Sequence, residues 1–378
     1  MLIAGSVHLL LLALLRWGWA RAREAAQPTI SASGSLPPLS VLIAARNEAP
    51  NLARHLPLIC EQAYPQFEVV VALNLTHDDS AAHLREWQRR YPHLRWLDLG
   101  APPAGWAAKK WALQQAAQYA RYDQLVFTDA DCAPDSGWLQ AIGRQVAAGQ
   151  EWVLGLGWYR HRAGWLNRLV RYETLYTALQ YVGAAALGRP YMAVGRNLSY
   201  PRRYLAHGPG LTPWHDSLSG DDDLMVNAYA VAAKTTGLLA PGARTWSEAP
   251  DTWRSWWRQK TRHVSASVHY PLITKCLLAG FHISHLLWHG GMLLLLALSP
   301  TLWPLAGLYT AAGLLKGMML YGPARHTGEQ GLLPFVFALD LSYFLYNLSV
   351  VPLGLIKRPE WTNRTPKYPK IRRKTGNW

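Results

Sequence analysis

The chain has 378 residues, half of them hydrophobic and only 16% charged, with 19 Trp, 18 Tyr and a net charge of +15. That balance excludes a wholly soluble enzyme, since Trp and Tyr are enriched where bilayer meets water. Three cysteines, Cys60, Cys132 and Cys276, stand far apart in no metal-ligand spacing, which argues against a disulfide framework or a zinc site.

The first run, Met1 to Leu15, is apolar apart from Ser6 and His8, and is followed by Arg16, Trp17, Trp19, Arg21 and Arg23. A cleaved signal peptide would carry its positive charge ahead of the apolar run. A retained anchor over residues 1–26 is therefore expected, with the next residues on the cytoplasmic side. Residues 27–38 form a Pro/Ser/Gly linker. Short β-rich runs then alternate with helically spaced apolar residues: strand 40–44, helix 51–62, strand 68–73, helix 83–91, strand 95–99, helix 109–119 and strand 124–128. The alternation predicts βαβ units, hence an α/β sheet of four parallel strands, nucleotide-binding and Rossmann-like.

Past Gly149 the periodicity weakens. Residues 165–187 read as an amphipathic helix, and Trp152, Trp158 and Trp165 suit a bilayer-facing surface or a buried aromatic cluster equally well. Three apolar stretches follow, 276–298, 302–321 and 332–356, each near the roughly 20 residues that span a bilayer. Three full crossings would leave the basic tail (Lys357, Arg358, Arg364, Lys367, Lys370, Arg372, Arg373 and Lys374) on the far side, against the positive-inside rule. One stretch is thus expected to be re-entrant or interfacial, foremost the last, which holds Pro334, Asp340, Asn347 and Pro352. The expected plan is an anchor (1–26), a linker (27–38), a catalytic domain (39–270), membrane helices (271–356) and a basic cytoplasmic tail (357–378). That is a multi-pass protein of the cell (inner) membrane with its catalytic domain cytoplasmic. Because the charge flanks apolar segments, membrane is the expected partner and nucleic acid is not.

Asp129 and Asp131 follow the apolar run Leu125-Val126-Phe127. Two carboxylates one residue apart at a strand end reach one crevice. There they can hold a divalent cation, Mg2+ or Mn2+, with room left for diphosphate oxygens; the competing reading is an acidic turn. Asp221, Asp222 and Asp223 are adjacent, so repulsion should raise a pKa or recruit a cation, unless they form a solvated helix N-terminus. On a helix through Arg254 to His263, Gln259 and Arg262 share a face fit for phosphate or sugar oxygens, with Trp253, Trp256 and Trp257 at the interface. A helix that only adheres to lipid headgroups is the alternative. Lys109 and Lys110, behind a Pro/Gly loop, suit diphosphate contacts or plain exposure.

In this order the motifs resemble those of family 2 glycosyltransferases, an inverting GT-A-fold family, over about residues 40–263. Val41 to Glu48 is similar to the opening strand and base-holding loop, and Tyr64-Pro65 with Glu68 to Val71 to the approach to the second strand. Ala108-Lys109-Lys110 resembles a Gly-Lys motif and Asp129-Ala130-Asp131 the metal motif. Gly195-Arg196-Asn197 is similar to the loop under the acceptor, Gly220-Asp221-Asp222 to a Glu-Asp base motif, and Gln259 to His263 to Gln-X-X-Arg-Trp.

The resemblance implies donor contacts from Ala45, Arg46, Glu48, Asn74, Lys109 and Asp129, and a cation on Asp131 and Asp129. It implies acceptor or phosphate contacts from Arg196, Asn197, Gln259, Arg262 and His263, and a base among Asp222, Asp221 and Asp223, foremost Asp222. Leu73 and Asn74 stand where the family usually has an acidic pair, which bears on donor identity. The implied activity is hexosyl transfer from a UDP- or GDP-sugar, and the Trp-rich, apolar surroundings favour a lipid-borne acceptor over a soluble sugar. Competing expectations are a processive polysaccharide synthase, which would need more membrane helices, and a non-catalytic membrane protein with a degenerate donor site.

Overall fold

The computed structural model describes residues 1–25, 35–298 and 303–356. Most of the expected linker and the whole basic tail lie outside the described residues. In chain order, α1 (Leu2–Ala25) is followed by β1 (Leu39–Ala45), α2 (Ala49–Cys60), β2 (Phe67–Leu73), α3 (Ser80–Arg90), β3 (Leu94–Asp98), α4 (Ala108–Tyr119) and β4 (Gln124–Phe127). The middle of the chain supplies β5 (Ala133–Pro134), α5 (Trp138–Ala147), β6 (Trp152–Leu154), β7 (Gly157–Tyr159), α6 (Trp165–Ala186), β8 (Leu198–Pro201), α7 (Arg203–Ala206) and α8 (Asp223–Tyr229). Then come β9 (Thr235–Gly237), β10 (Thr245–Ser247), α9 (Trp253–Ser265), α10 (Leu272–Leu298), α11 (Trp303–Thr327) and α12 (Val336–Ile356).

The main sheet has seven strands in the order β3-β2-β1-β4-β8-β6-β9. β3, β2, β1 and β4 are parallel neighbours, so the fold is the α/β class expected. Their Val-rich sequences are apolar on both faces because both faces are covered. Val41, Ile43, Val69 and Val71 pack with Leu52 and Leu56 of α2 and Ile142 of α5. Leu42 and Val70 pack with Leu113 and Ala116 of α4. Since β2 and β3 leave β1 on one side and β4 joins on the other, a crevice opens at the C-terminal ends of β1 and β4.

α6 is a core helix. Of its 22 residues 15 are buried, and Trp152 and Trp158 are buried as well, so of the two readings open for these tryptophans the structure takes the aromatic cluster. α1 lies along α6 in close backbone contact: a Cβ added at Gly18 would stand 2.2 Å from the Gly183 carbonyl oxygen. Only glycine lets two helices meet so closely. A buried Arg171–Glu329 ion pair and a bond from Trp158 Nε1 to the Thr327 carbonyl (3.3 Å) hold the end of α11 to this core.

Among the described residues, three helical segments are long and apolar enough to cross a bilayer: Leu2–Ala25, Leu272–Leu298 and Gln330–Ile356. The last stretch, expected to be re-entrant or interfacial, is among them by length and composition. Asp340 and Asn347 turn inward and are buried, which leaves an outer face of residues such as Leu345, Leu348 and Ile356. α11 is as long as these but falls short in its composition. It carries Lys316, Arg325 and His326 among its glycines.

Candidate functional site

Asp129 leaves the tip of β4 and Lys109 stands in the first turn of α4, so both face the crevice. Lys109 Nζ lies 2.9 Å from Asp129 Oδ1 and 3.0 Å from Asp221 Oδ2. One ammonium thus joins the strand-tip acids to the Asp221–Asp223 cluster, although 92 residues separate Asp129 from Asp221. Burial works against the charge on Lys109, but Asp129 and Asp221 outweigh it and hold the ammonium protonated, above the usual lysine range. Burial likewise pushes Asp221 up, and Lys109 overcomes it, leaving that carboxyl below its ordinary value.

Asp222 meets different partners. It caps α8, accepting from the Asp223 N–H (2.8 Å) on Oδ1 and from the Gly195 N–H (2.6 Å) on Oδ2. Burial, then the charge of Asp221, pushes it up to about 6, into the range where a carboxylate takes a proton near neutrality. Burial and Asp222 also raise Asp223, whose Oδ2 accepts from Tyr270 OH at 2.6 Å. Repulsion among three adjacent acids is therefore relieved by both available routes, a cation for one and raised pKa values for the others.

Asp129, Asp131 and Cys132 bring ligand atoms within 4.8 Å of one another. Burial pushes the Cys132 thiol well up, so it is neutral and the donors are carboxylate oxygens. That hard set fits Mg2+ or Mn2+, and the Lys109 ammonium, seated between Asp129 and Asp221, shows that positive charge is accommodated beside it.

A cavity of about 290 Å3 adjoins the cluster, with Arg46, Leu75, Trp106, Lys109, Lys110 and Asp221 among its walls. Lys110 is buried and donates to the Trp214 carbonyl (2.8 Å); burial lowers its pKa to about 8. Ala45 ends β1, and its carbonyl accepts from the Asn74 N–H at 3.1 Å. The Asn74 side chain is only 2% exposed and, among the described residues, no partner meets its amide oxygen or nitrogen. Glu48 accepts from Asn51 Nδ2 at 2.5 Å, beside the N-terminus of α2. Asp78, which the sequence reading passed over, accepts from the Ala49 N–H (2.9 Å) at that helix start.

Arg196 and Gln259 converge on Tyr159. Arg196 donates to the Gly157 carbonyl (2.7 Å) and to Tyr159 OH (3.3 Å), and its guanidinium lies 4.5 Å over the Tyr159 ring. Gln259 Nε2 is 3.4 Å from the same hydroxyl. Tyr159 is a candidate site residue that sequence reasoning missed, since it sits in a three-residue strand with no motif around it. Arg262 and His263 lie together at 3.5 Å on α9. Asn197 is different: its amide donates to the Leu156 and Ala243 carbonyls (both 2.9 Å) and accepts from Trp138 Nε1 (2.9 Å). Both its N–H groups are engaged inside the fold, so it braces the loop that carries Gly195 and Arg196. Trp253 and Trp257 are exposed, but Trp256, expected at the interface, is buried against Glu173.

An open α/β sheet thus gathers Asp129 and Asp221 around the Lys109 ammonium at its switch point, beside helices long and apolar enough to cross a membrane. The chain belongs to glycosyl transferase family 21, whose family model matches residues 2–341. The sequence reading named family 2, and what carries over from it is the broader class, glycosyltransferase. The probable glycosyltransferase YdaM of Bacillus subtilis is 24% identical over 246 residues, 63% of this chain and 57% of that protein. Glycosyltransferase AglE of Haloferax volcanii is 30% identical over 110 residues, 29% of this chain. The chain thus spans 57% and 35% of the lengths of these two relatives. Among solved structures, the mannosyltransferase PcManGT from Pyrobaculum calidifontis, in complex with GDP-Man and Mn2+, is 19% identical with a TM-score of 0.48, covering 92% of this chain and 99% of that one. TarS residues 1–349 from S. aureus is 16% identical with a TM-score of 0.44, covering 84% and 91%.

Proposed function

We propose that this chain moves a hexose from a UDP- or GDP-sugar to a hydroxyl of a lipid-borne acceptor, inverting the anomeric centre, at the cytoplasmic face of the membrane. The observation that carries the reading is the Lys109 bridge, because it puts the donor-side acids and the candidate base in one cleft. A divalent cation on Asp131 and Asp129 would neutralise charge gathering on the leaving nucleoside diphosphate. Lys109 and Arg262 add fixed positive charge beside the same oxygens. Asp222 takes the proton from the acceptor hydroxyl as that oxygen bonds to the anomeric carbon and the carbon–phosphate-oxygen bond breaks. Gly195 and Asp223 N–H groups hold the carboxylate in place for this. Support for a lipid acceptor comes from Tyr270, whose bond to Asp223 sets the cluster two residues from the start of α10.

The test uses detergent-purified protein, a panel of UDP- and GDP-sugars with and without Mn2+, and a lipid extract. One donor should raise the melting temperature, since a ligand of the folded state stabilises it, and should release nucleoside diphosphate only with lipid present. Protection by no nucleotide sugar would overturn the reading.

A further inference from the structure

α9 brings Gln259 against Tyr159 and His263 within electrostatic reach of Arg196 and Lys109, and a buried charge pair ties the helix to α6. Lys260 Nζ lies 2.7 Å from Glu173 Oε1, and Trp256 Nε1 meets Glu173 Oε2 at 3.4 Å. Trp256 and Lys260 are four apart and are the two buried residues of α9. Both oxygens of one α6 carboxylate are thus held by consecutive turns of α9. α12 closes in along the neighbouring turn, where Gly354 leaves no room for a Cβ against Val264.

We propose that Glu173 and Lys260 are positioning residues that fix the rotation of α9, and so the aim of Gln259 and Arg262 into the cleft. Burying two charges costs more desolvation than an apolar contact of the same volume, so stability alone does not explain the pair. An apolar contact tolerates rotation, whereas an ammonium–carboxylate contact does not. Each residue of slip turns a helix by about 100°, which would carry Lys260 off Glu173 and Gln259 off Tyr159 together. The inference rests on the reading that α9 serves the transfer site.

Three variants decide it: Glu173→Leu, Lys260→Met and the two combined. Each single change strands one buried charge and lowers the melting temperature. The double change removes both charges and restores the melting temperature. Its kcat for nucleoside diphosphate release nevertheless stays on the order of tenfold to a hundredfold below wild type, the scale of a small misplacement, while the KM for the donor moves less. Full recovery of kcat along with melting temperature would overturn the proposal by reducing the pair to a structural contact. If the double variant stays unstable, Glu173→Gln keeps the shape and the bond to Trp256 and is read in its place; unchanged kcat there overturns the proposal equally. Failure of the functional reading is distinguishable, because wild type itself would then release no nucleoside diphosphate.

Discussion

Two of the places where this molecule sets a carboxylate against a lysine differ in what they leave open. At the strand tips, Lys109 bridges Asp129 and Asp221, the Asp129 side chain keeps 36% of its surface exposed, and a cavity of about 290 Å3 lies alongside. Among the apolar helices, Asp340 of α12 receives His285 (3.1 Å), Tyr172 (3.0 Å) and Lys316 on Oδ1, and His289 (3.0 Å) on Oδ2. There the adjoining space is about 20 Å3, enough for one water. The first arrangement leaves room and exposed oxygen for a ligand, whereas the second is buried with both oxygens engaged. His285, His289 and Asp340 also have metal-ligand spacing, yet their carboxylate already has its own cation. The difference teaches that a cluster's chemistry follows from what remains unsatisfied, more than from which residues compose it.

Breaking the strand-tip cluster should stop chemistry and spare the fold. Asp222→Asn is expected to cut turnover about a hundredfold to ten-thousandfold, measured as nucleoside diphosphate release, while thermal unfolding stays cooperative. Breaking the helix node should do the reverse. Asp340→Ala leaves Lys316 unpaired and is expected to cost about 3–5 kcal/mol, read from unfolding in detergent.

The contrast sharpens with pH. The proton acceptor must be charged, so kcat/KM should fall about tenfold per unit as pH drops below about 6, the value to which burial and Asp221 push Asp222. Stability runs the other way for this group. Its folded pKa lies above the ordinary 3.8, so its protonated form favours the fold, and that contribution is lost as pH rises from about 4 through about 6. Asp222→Asn should remove that part of the pH dependence of melting. The smallest effect expected is that of Tyr159→Phe, which removes the hydroxyl shared by Arg196 and Gln259. It should cost about 0.5–1.5 kcal/mol of transition-state stabilisation, measured from kcat/KM.

The half of the sheet that frames the crevice was legible because parallel strands buried on both faces leave long apolar runs. Strands expected at 40–44, 68–73, 95–99 and 124–128 stand at Leu39–Ala45, Phe67–Leu73, Leu94–Asp98 and Gln124–Phe127. The strands after Pro134 are three or four residues long, too short for any period to show. Asn197 read as a ligand contact because its neighbours formed a motif, and only its partners Trp138, Leu156 and Ala243 show that it is a brace. Asp340 and Asn347 read as polar interruptions of a span because sequence does not say which way a side chain faces. The Lys109 bridge was equally hidden, since nothing in the order of residues states that Asp129 and Asp221 share one ammonium.

The shared cation seat is tested most directly by nucleoside diphosphate release from the identified donor in a Mn2+ titration, comparing wild type with Asp131→Asn. Release that needs Mn2+, stops on chelation and is lost in Asp131→Asn is the predicted result. Equal rates with chelator present and in Asp131→Asn would contradict it.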